Sequence, residues 1–242
     1  MQTVFVCGGR GTRLMPRPVG PKSLMRVGHS TLLEGLVTRL RQFHTSQLPP
    51  IVVVDEQDPE TPKAACGLLP HAHVIRQVRP DGVASALLLA QPFLDDVVLV
   101  TLGDLFIDGT FAAITPRPAL TFWSEAVTAD TQNNFGIAAS ANGAVANVSE
   151  KPRDGRGLYC GMGLYVLTRS IVSGFQDAPI DSQTGERGIT AALQAAIQSG
   201  IRFQAVPFSG FYRNVNTPAD LFAIERHLYE RVVPRHALSA NR

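Results

Sequence analysis

Val4-Phe5-Val6-Cys7-Gly8-Gly9-Arg10-Gly11-Thr12-Arg13-Leu14, followed by Pro21-Lys22-Ser23-Leu24, decides how the rest of the chain is read. A short apolar run stops at a cluster of glycines, and two cations, Arg13 and Lys22, come after it. Glycines let a backbone turn tightly and approach a ligand with no Cβ in the way. Amides freed in such a loop point at anions, and nearby cations add charge. The stretch therefore predicts a buried strand ending in a phosphate cradle.

Two common glycine-rich loops do not fit. A Walker-type loop needs Gly, four residues and then Gly-Lys-Ser/Thr, whereas Lys22 follows Pro21. A dinucleotide fingerprint needs Gly-x-Gly-x-x-Gly, and Leu14 stands where the third glycine belongs. The acidic residue expected about 20 positions further on has only Glu34 as a candidate, inside a predicted helix. A plain strand-to-helix turn with no ligand leaves Arg13 and Lys22 unaccounted for.

Outward from this loop, apolar runs alternate with helical patterns. Thr3–Cys7, Ile51–Val54, Val97–Thr101 and Leu120–Trp123 read as strands, the first three nearly continuous in apolar residues, as buried parallel strands are. Leu33, Leu36, Val37, Leu40 and Phe43 mark a helix, opened by a Thr31/Glu34 capping box. Ile137–Ala139, Ala144–Ser149, Leu158–Leu167 and Phe203–Val206 read as further strands, and Ile189, Leu193 and Ile197 as a helix. A last helix starts at Thr217-Pro218 with Leu221, Ile224 and Leu228 as its buried stripe. The fold class expected is α/β: one doubly wound, mostly parallel mixed sheet with flanking helices. A single domain over 1–234 is expected, a nucleotide-binding half to about 130 and an acceptor-binding half after it, with a frayed tail at 235–242.

Bulk properties narrow the partners. The chain has 242 residues and a formal net charge of only +2, so a nucleic-acid surface is not indicated. No stretch approaches the roughly 18 apolar residues of a spanning helix. Cys7, Cys66 and Cys160 form no Cys-x-x-Cys pair and no disulfide framework. A soluble, cytoplasmic protein is expected, with homo-oligomerisation left open. His71 and His73 read as surface histidines without a third ligand. His227 reads as solvated, Trp123 as core, and Cys66 and Cys160 as buried inert thiols.

Gly8-Gly9-Arg10-Gly11-Thr12-Arg13-Leu14 with Pro21-Lys22-Ser23-Leu24 resembles the signature of the sugar-1-phosphate nucleotidyltransferase family, with Cys7 where that family usually has Ala. Further stretches resemble its later motifs in the same order. Gln77, then Gly82-Val83-Ala84-Ser85, resembles the base-reading loop, with Val83 in place of the usual Thr. Leu102-Gly103-Asp104 resembles a strand end whose Asp holds Mg²⁺. Asn134-Phe135-Gly136 resembles the step whose glycine faces the sugar. Glu150-Lys151-Pro152 resembles Glu-Lys-Pro, in which Glu meets sugar hydroxyls and Lys the acceptor phosphate. Gly163-Leu164-Tyr165 resembles Gly-Ile-Tyr, with Gly161 where an Asn often touches the sugar. Asn214-Val215-Asn216-Thr217-Pro218-Ala219-Asp220-Leu221 resembles the closing motif, in which the residue before Thr-Pro, here Asn216, gives a second metal contact.

The resemblance implies a nucleotide-diphospho-sugar transferase-like fold and transfer of a nucleotidyl group from an NTP to a sugar or cyclitol phosphate, releasing pyrophosphate. It implies Arg13, Lys22, Asp104 and Lys151 as catalytic residues. Gly8, Gly9, Gly11, Thr12, Gln77, Gly82 and Ser85 would hold the nucleotide. Gly136, Glu150, Lys151 and Gly161 would hold the acceptor, and Asp104 and Asn216 would bind Mg²⁺. Such a reaction asks for alignment and counter-charge rather than a general base, since the nucleophile is already an anion. A cytidylyltransferase for phosphocholine or a phosphonate is the first alternative, and a catalytically silent nucleotide-sugar-binding subunit the second. The retained Arg13, Lys22 and Asp104 weigh against silence. A C-terminal acyltransferase or dimerising extension is not expected within these residues.

Overall fold

The computed structural model describes residues 1–9 and 20–232. The opening apolar run is strand β1 (Gln2–Val6), buried along its whole length. Side chains alternate across a strand, so Val4 and Val6 enter one hydrophobic cluster while Phe5 enters another, with Cys7 beyond it. That double burial explains why the run is apolar throughout.

Strands β2 (Arg26–Val27) and β3 (Ser30–Thr31) form a small separate ribbon before helix α1 (Leu32–Leu40). The Thr31/Glu34 capping box is present, with Thr31 Oγ1 accepting from the Glu34 amide at 3.2 Å. Strand β4 (Ile51–Asp55), helix α2 (Thr61–Leu68), strand β5 (His73–Gln77), helix α3 (Val83–Ala90) and strand β6 (Val97–Leu102) follow. Then come strands β7 (Leu105–Phe111) and β8 (Ala119–Trp123), helix α4 (Thr128–Asn133), and strands β9 (Phe135–Ala139), β10 (Val145–Glu150) and β11 (Tyr159–Thr168). Helices α5 (Arg169–Gly174) and α6 (Ile189–Gln198), strand β12 (Gln204–Asn214) and helix α7 (Pro218–Val232) complete the chain.

Ten of these strands form one sheet whose main path runs β5-β4-β1-β6-β11-β8-β12-β7. The first four are parallel. β11 runs antiparallel to both β6 and β8, and β12 runs parallel to β8 but antiparallel to β7. α3, α5 and α6 cover one face, α1 and α2 the other. This is the mixed doubly wound sheet expected.

β11 positions the second half of the chain. Its carboxyl half pairs with β6 through Leu164–Thr168, and its amino half pairs with β9 through Tyr159–Gly161. The β9–β10 hairpin therefore continues the sheet past the carboxyl end of β6, where ligands bind in open α/β folds.

Three expectations need correction. β5 and β7 were not foreseen: β5 is an edge strand of mixed polarity, and β7 carries Asp108 and Gly109 in mid-strand. The late strand extends to Asn214 rather than ending at Val206, because β7 pairs with its second half. His227 is not solvated. It bonds Asp108 Oδ2 at 2.8 Å and stacks on Phe211 at 4.1 Å. The 235–242 tail lies outside the described residues.

Candidate functional site

Two strand ends meet at the core of the site. The Gly103 amide donates to the Val6 carbonyl at 2.8 Å, which ties the end of β6 to the end of β1. A Cβ on Gly103 would lie 2.6 Å from Cys7 Sγ and 3.2 Å from the Val6 carbonyl oxygen. Only glycine allows that approach, and it sets Asp104 beside the Gly8–Gly9 turn. The Cys7 thiol is pushed up to about 12 by burial, so it is packing rather than a nucleophile.

Lys22 opens a short 3-10 turn, its amide donating to the Gly9 carbonyl at 3.2 Å. Its ammonium donates to Asp104 Oδ2 at 3.1 Å and to Asn216 Oδ1 at 2.8 Å. Asn216 is brought there from the far end of the chain. The Val215 amide donates to the Asp104 carbonyl, and the Asn216 and Thr217 amides donate to Asp220 Oδ2 at the start of α7. Residues 22, 104 and 216 thus converge from three distant segments.

A cavity of about 370 Å³ opens on one side of this triad, lined by Gly8, Gly9, Lys22, Gln77, Gly82 and Asp104. Gln77, buried at the end of β5, donates from Nε2 to Asp81 Oδ1 at 2.7 Å and to the Gly82 carbonyl. A carboxylate and a carbonyl only accept, so this contact fixes the amide and leaves Oε1 as the acceptor it presents. Gly82 has φ +106°, and a Cβ there would sit 2.3 Å from the Arg187 carbonyl oxygen. The Arg187 amide donates to the Asp81 carbonyl and its carbonyl accepts from Ala84. The segment before α6 therefore clamps the loop, and Glu186 joins the cavity wall. Sequence reasoning missed this clamp, because nothing in residues 181–188 marks a contact so distant in sequence. Ser85 lines a neighbouring groove with Arg76, Val78 and Arg79.

The glycine turn has a second flank, lined by Asp55, Asp58 and Glu60. That acidic wall disfavours a polyphosphate, and the Lys22 side favours one.

Across the triad, a further cavity of about 550 Å³ is lined by Lys151, Asn216, Trp123, Arg213, Asn214 and Asp220. Lys151 sits in the left-handed region at φ +39°, held by its amide donating to the Asn134 carbonyl at 2.8 Å. A non-glycine residue held there costs on the order of 1–3 kcal/mol and is retained where surrounding structure enforces it. Trp123 is buried as expected, yet it also forms part of this wall. Arg213 was not singled out from the sequence, and Asn214 only opened the closing motif, with no role of its own. Their place directly before Asn216, on a strand reaching the site, was the available signal.

Three expected acceptor residues, Gly136, Glu150 and Gly161, do not line this cavity. Glu150 Oε2 accepts from Thr190 Oγ1 at 2.6 Å. Gly136 is covered by Leu158 and Pro152, and a Cβ on Gly161 would lie 2.2 Å from the Phe135 ring. Of the thiols, Cys160 is buried and pushed up to about 12 by burial, whereas Cys66 is exposed, contrary to expectation. His73 is half-buried against Phe93 rather than a free surface residue. Gly11, Thr12 and Arg13 lie outside the described residues.

Asp104 Oδ2 and Asn216 Oδ1 already converge on one cation, the Lys22 ammonium. Mg²⁺ takes oxygen ligands, often few of them from protein, and completes its shell with phosphates and waters. The pair suits such an ion. Among the described residues, no three His, Cys, Asp or Glu side chains cluster as an alternative metal site.

A glycine turn and a lysine thus stand at the carboxyl edge of a doubly wound α/β sheet, with cavities on either side. The chain belongs to the nucleotidyl transferase family, whose sequence pattern it matches over residues 2–231. It is 29% identical to glucose-1-phosphate thymidylyltransferase of Streptomyces antibioticus, over 97% of this chain and 68% of that protein. It is 24% identical to the bifunctional protein GlmU of Methanococcus maripaludis, over 97% of this chain and 56% of that one. The chain thus spans between half and about two thirds of these relatives. Its fold is similar to that of a UDP-glucose pyrophosphorylase complexed with UDP-glucose, with a TM-score of 0.77, 15% identity, and 95% and 98% of the two chains covered. Among the described residues no helix is long and apolar enough to cross a membrane.

Proposed function

We propose that the chain joins a sugar or cyclitol phosphate to a nucleoside triphosphate, giving a nucleotide-linked product and pyrophosphate. The observation that carries this is the Lys22–Asp104–Asn216 triad standing between two cavities. The cavity with Gln77 and Gly82 takes the nucleotide, and the one with Lys151 takes the acceptor. The thymidylyltransferase relative acts on glucose 1-phosphate by name, which supports a phosphorylated sugar as the acceptor class.

An acceptor phosphate oxygen attacks the α-phosphorus. A new P–O bond forms there as the bond to the β-phosphate oxygen breaks, and that electron pair leaves with pyrophosphate. Two polyanions must be held together, so the chain supplies alignment and counter-charge. Gly8 and Gly9 amides cradle the triphosphate. Lys22 neutralises charge building at the α-phosphate, and Lys151 orients the acceptor. Asp104 and Asn216 would hold Mg²⁺, which contributes further phosphate neutralisation when bound. Arg13 is assigned to the departing pyrophosphate. The free, buried thiols of Cys7 and Cys160 support a reducing, cytoplasmic setting.

Pyrophosphate release measured with the common ribo- and deoxyribonucleoside triphosphates and an acceptor panel tests the reading. Lys22→Ala and Asp104→Ala are each expected to lower turnover at least ~100-fold, the cost of losing one preorganised charge-stabilising group. Near-normal turnover in either folded variant would remove the triad from the chemistry.

A further inference from the structure

Gln77 offers the nucleotide cavity a polar group whose character another residue decides. A primary amide has an acceptor oxygen on one side and two donor hydrogens on the other, and a half-turn of its last bond exchanges them. Both Nε2 hydrogens of Gln77 are taken, by Asp81 Oδ1 at 2.7 Å and by the Gly82 carbonyl at 3.3 Å. Oε1 faces the glycine turn, where a Cβ on Gly8 would lie 3.5 Å from it. Resting on the nucleotidyl-transfer reading above, we infer that Asp81 is a positioning residue for base selection. By accepting from Nε2 it holds Oε1 towards the base, so the protein separates bases that differ only in where they carry a hydrogen.

The residue type at position 81 carries this. Reversed, the Gln77 amide would set its oxygen against a carboxylate and a carbonyl, neither of which donates. Gln77 is only 4% exposed, so water does not replace the lost bonds. The Gly82 carbonyl, through one longer contact, is the weaker constraint of the two. An Asn at 81 would act differently. Its Nδ2 donates to a reversed Gln77 as readily as its Oδ1 accepts from the present one, and the amide then shows the base either group.

Asp81 does this from outside the nucleotide cavity. From this loop, Gln77, Pro80, Gly82 and Val83 line that cavity, whereas Asp81 lines the adjoining groove with Arg76, Arg79 and Arg187. Its backbone is fixed on both sides, the amide donating to the Arg79 carbonyl at 2.8 Å and the carbonyl accepting from the Arg187 amide at 2.7 Å. The carboxylate therefore acts on a base only through Gln77. Uracil and cytosine share one outline, but N3 carries a hydrogen in the first and a lone pair in the second, and guanine and adenine differ in the same way at N1. A fixed acceptor tells the members of such a pair apart, because the wrong one leaves it unpaired. An amide free to turn does not.

The test measures kcat/KM for matched nucleotides, UTP against CTP, dUTP against dCTP and GTP against ATP, with glucose 1-phosphate as acceptor, in wild type, Asp81→Asn and Asp81→Ala. Wild type is expected to favour one member of at least one pair by ~10-fold or more, the scale of one buried acceptor left unpaired. In Asp81→Asn that ratio should fall towards one, with the KM for the acceptor and the melting temperature close to wild type. Asp81→Ala, which keeps only the Gly82 contact, should narrow it as well, and it carries the test if the Asn variant does not fold. A role in stability alone would slow all nucleotides by a common factor and leave the ratio intact. That result, or a wild type that uses both members of every pair equally, overturns the inference. Failure of the reaction itself looks different: no pyrophosphate with any nucleotide. The ratio is then taken from the dissociation constants of the same nucleotides, measured by calorimetry without acceptor. A wild-type preference that narrows in the variants upholds the role of Asp81, and equal binding within each pair, an unchanged ratio in the variants or no binding overturns it.

Discussion

Asp104 shows how one residue type at one position combines several demands. It must follow a buried strand, stand beside a glycine turn and meet a lysine from 82 residues away. The intervening Gly103 is what brings β1 and β6 close enough for this. Gly161 illustrates the reverse case, a departure from the resemblance that packing explains. The Phe135 ring fills the space a side chain would take, and with Asn at 161 both cannot be accommodated. Gly161→Asn should therefore not recover a sugar contact. Overpacking of this kind costs about 1–3 kcal/mol, so the variant is expected to melt several degrees lower in a thermal scan. A variant as stable as wild type would mean that Phe135 rotates away freely and that the ring is not what keeps this position small.

At the scale of elements, α7 is fixed at both ends. Its first turn carries the Asp220 cap that presents Asn216, and its later turns are held by Asp108 of β7. The Asp108 carboxylate is nearly buried and accepts from Arg39 of α1 at 2.5 Å, from His227 at 2.8 Å and from Arg231. Burial alone would raise its pKa. The hydrogen bonds from Arg231 and His227 and the charge of Arg39 outweigh that and hold it down to about 2. A carboxylate whose folded pKa is depressed stabilises the fold above its unfolded value, near 4, and that contribution fades as pH falls towards 2. Asp108→Asn should cost about 1–3 kcal/mol. It should cost less than breaking a fully buried pair, because Arg39 and Arg231 remain substantially in water. The loss should be seen in urea titrations at pH 7 and should shrink between pH 4 and pH 2. A difference from wild type that is constant over that range would show that the carboxylate's charge does not anchor the helix.

Across the whole molecule, the parallel half was legible because double burial forces continuous apolar runs in β1, β4 and β6 and a glycine at each tight approach. The cap of α1 and the start of α7 were legible for the same local reason. What escaped was set by long-range pairing: β5 at an edge, β7 built around a charged residue, and the second half of β12, each stabilised by neighbours that local pattern does not name. The site divides in the same way. Lys22, Gln77, Gly82, Asp104, Lys151 and Asn216 were named from local motifs and line the two cavities, whereas Arg187, Arg213 and Asn214 depend on which loops the topology brings together. The triad separates two cavities that have no described lining residue in common, and this arrangement makes a quantitative prediction. Groups at separate sites without shared partners act additively in free energy, and groups in one network do not. Gln77→Ala and Arg213→Ala, one in each cavity, should therefore multiply in their effects on the rate constant at limiting substrate. Lys22→Ala and Asn216→Ala share one hydrogen bond, so the double variant should lose far less than the product of the single losses. Steady-state rates of the four single and two double variants measure both couplings. Coupling between Gln77 and Arg213 as large as that within the triad would mean that the two cavities are one site.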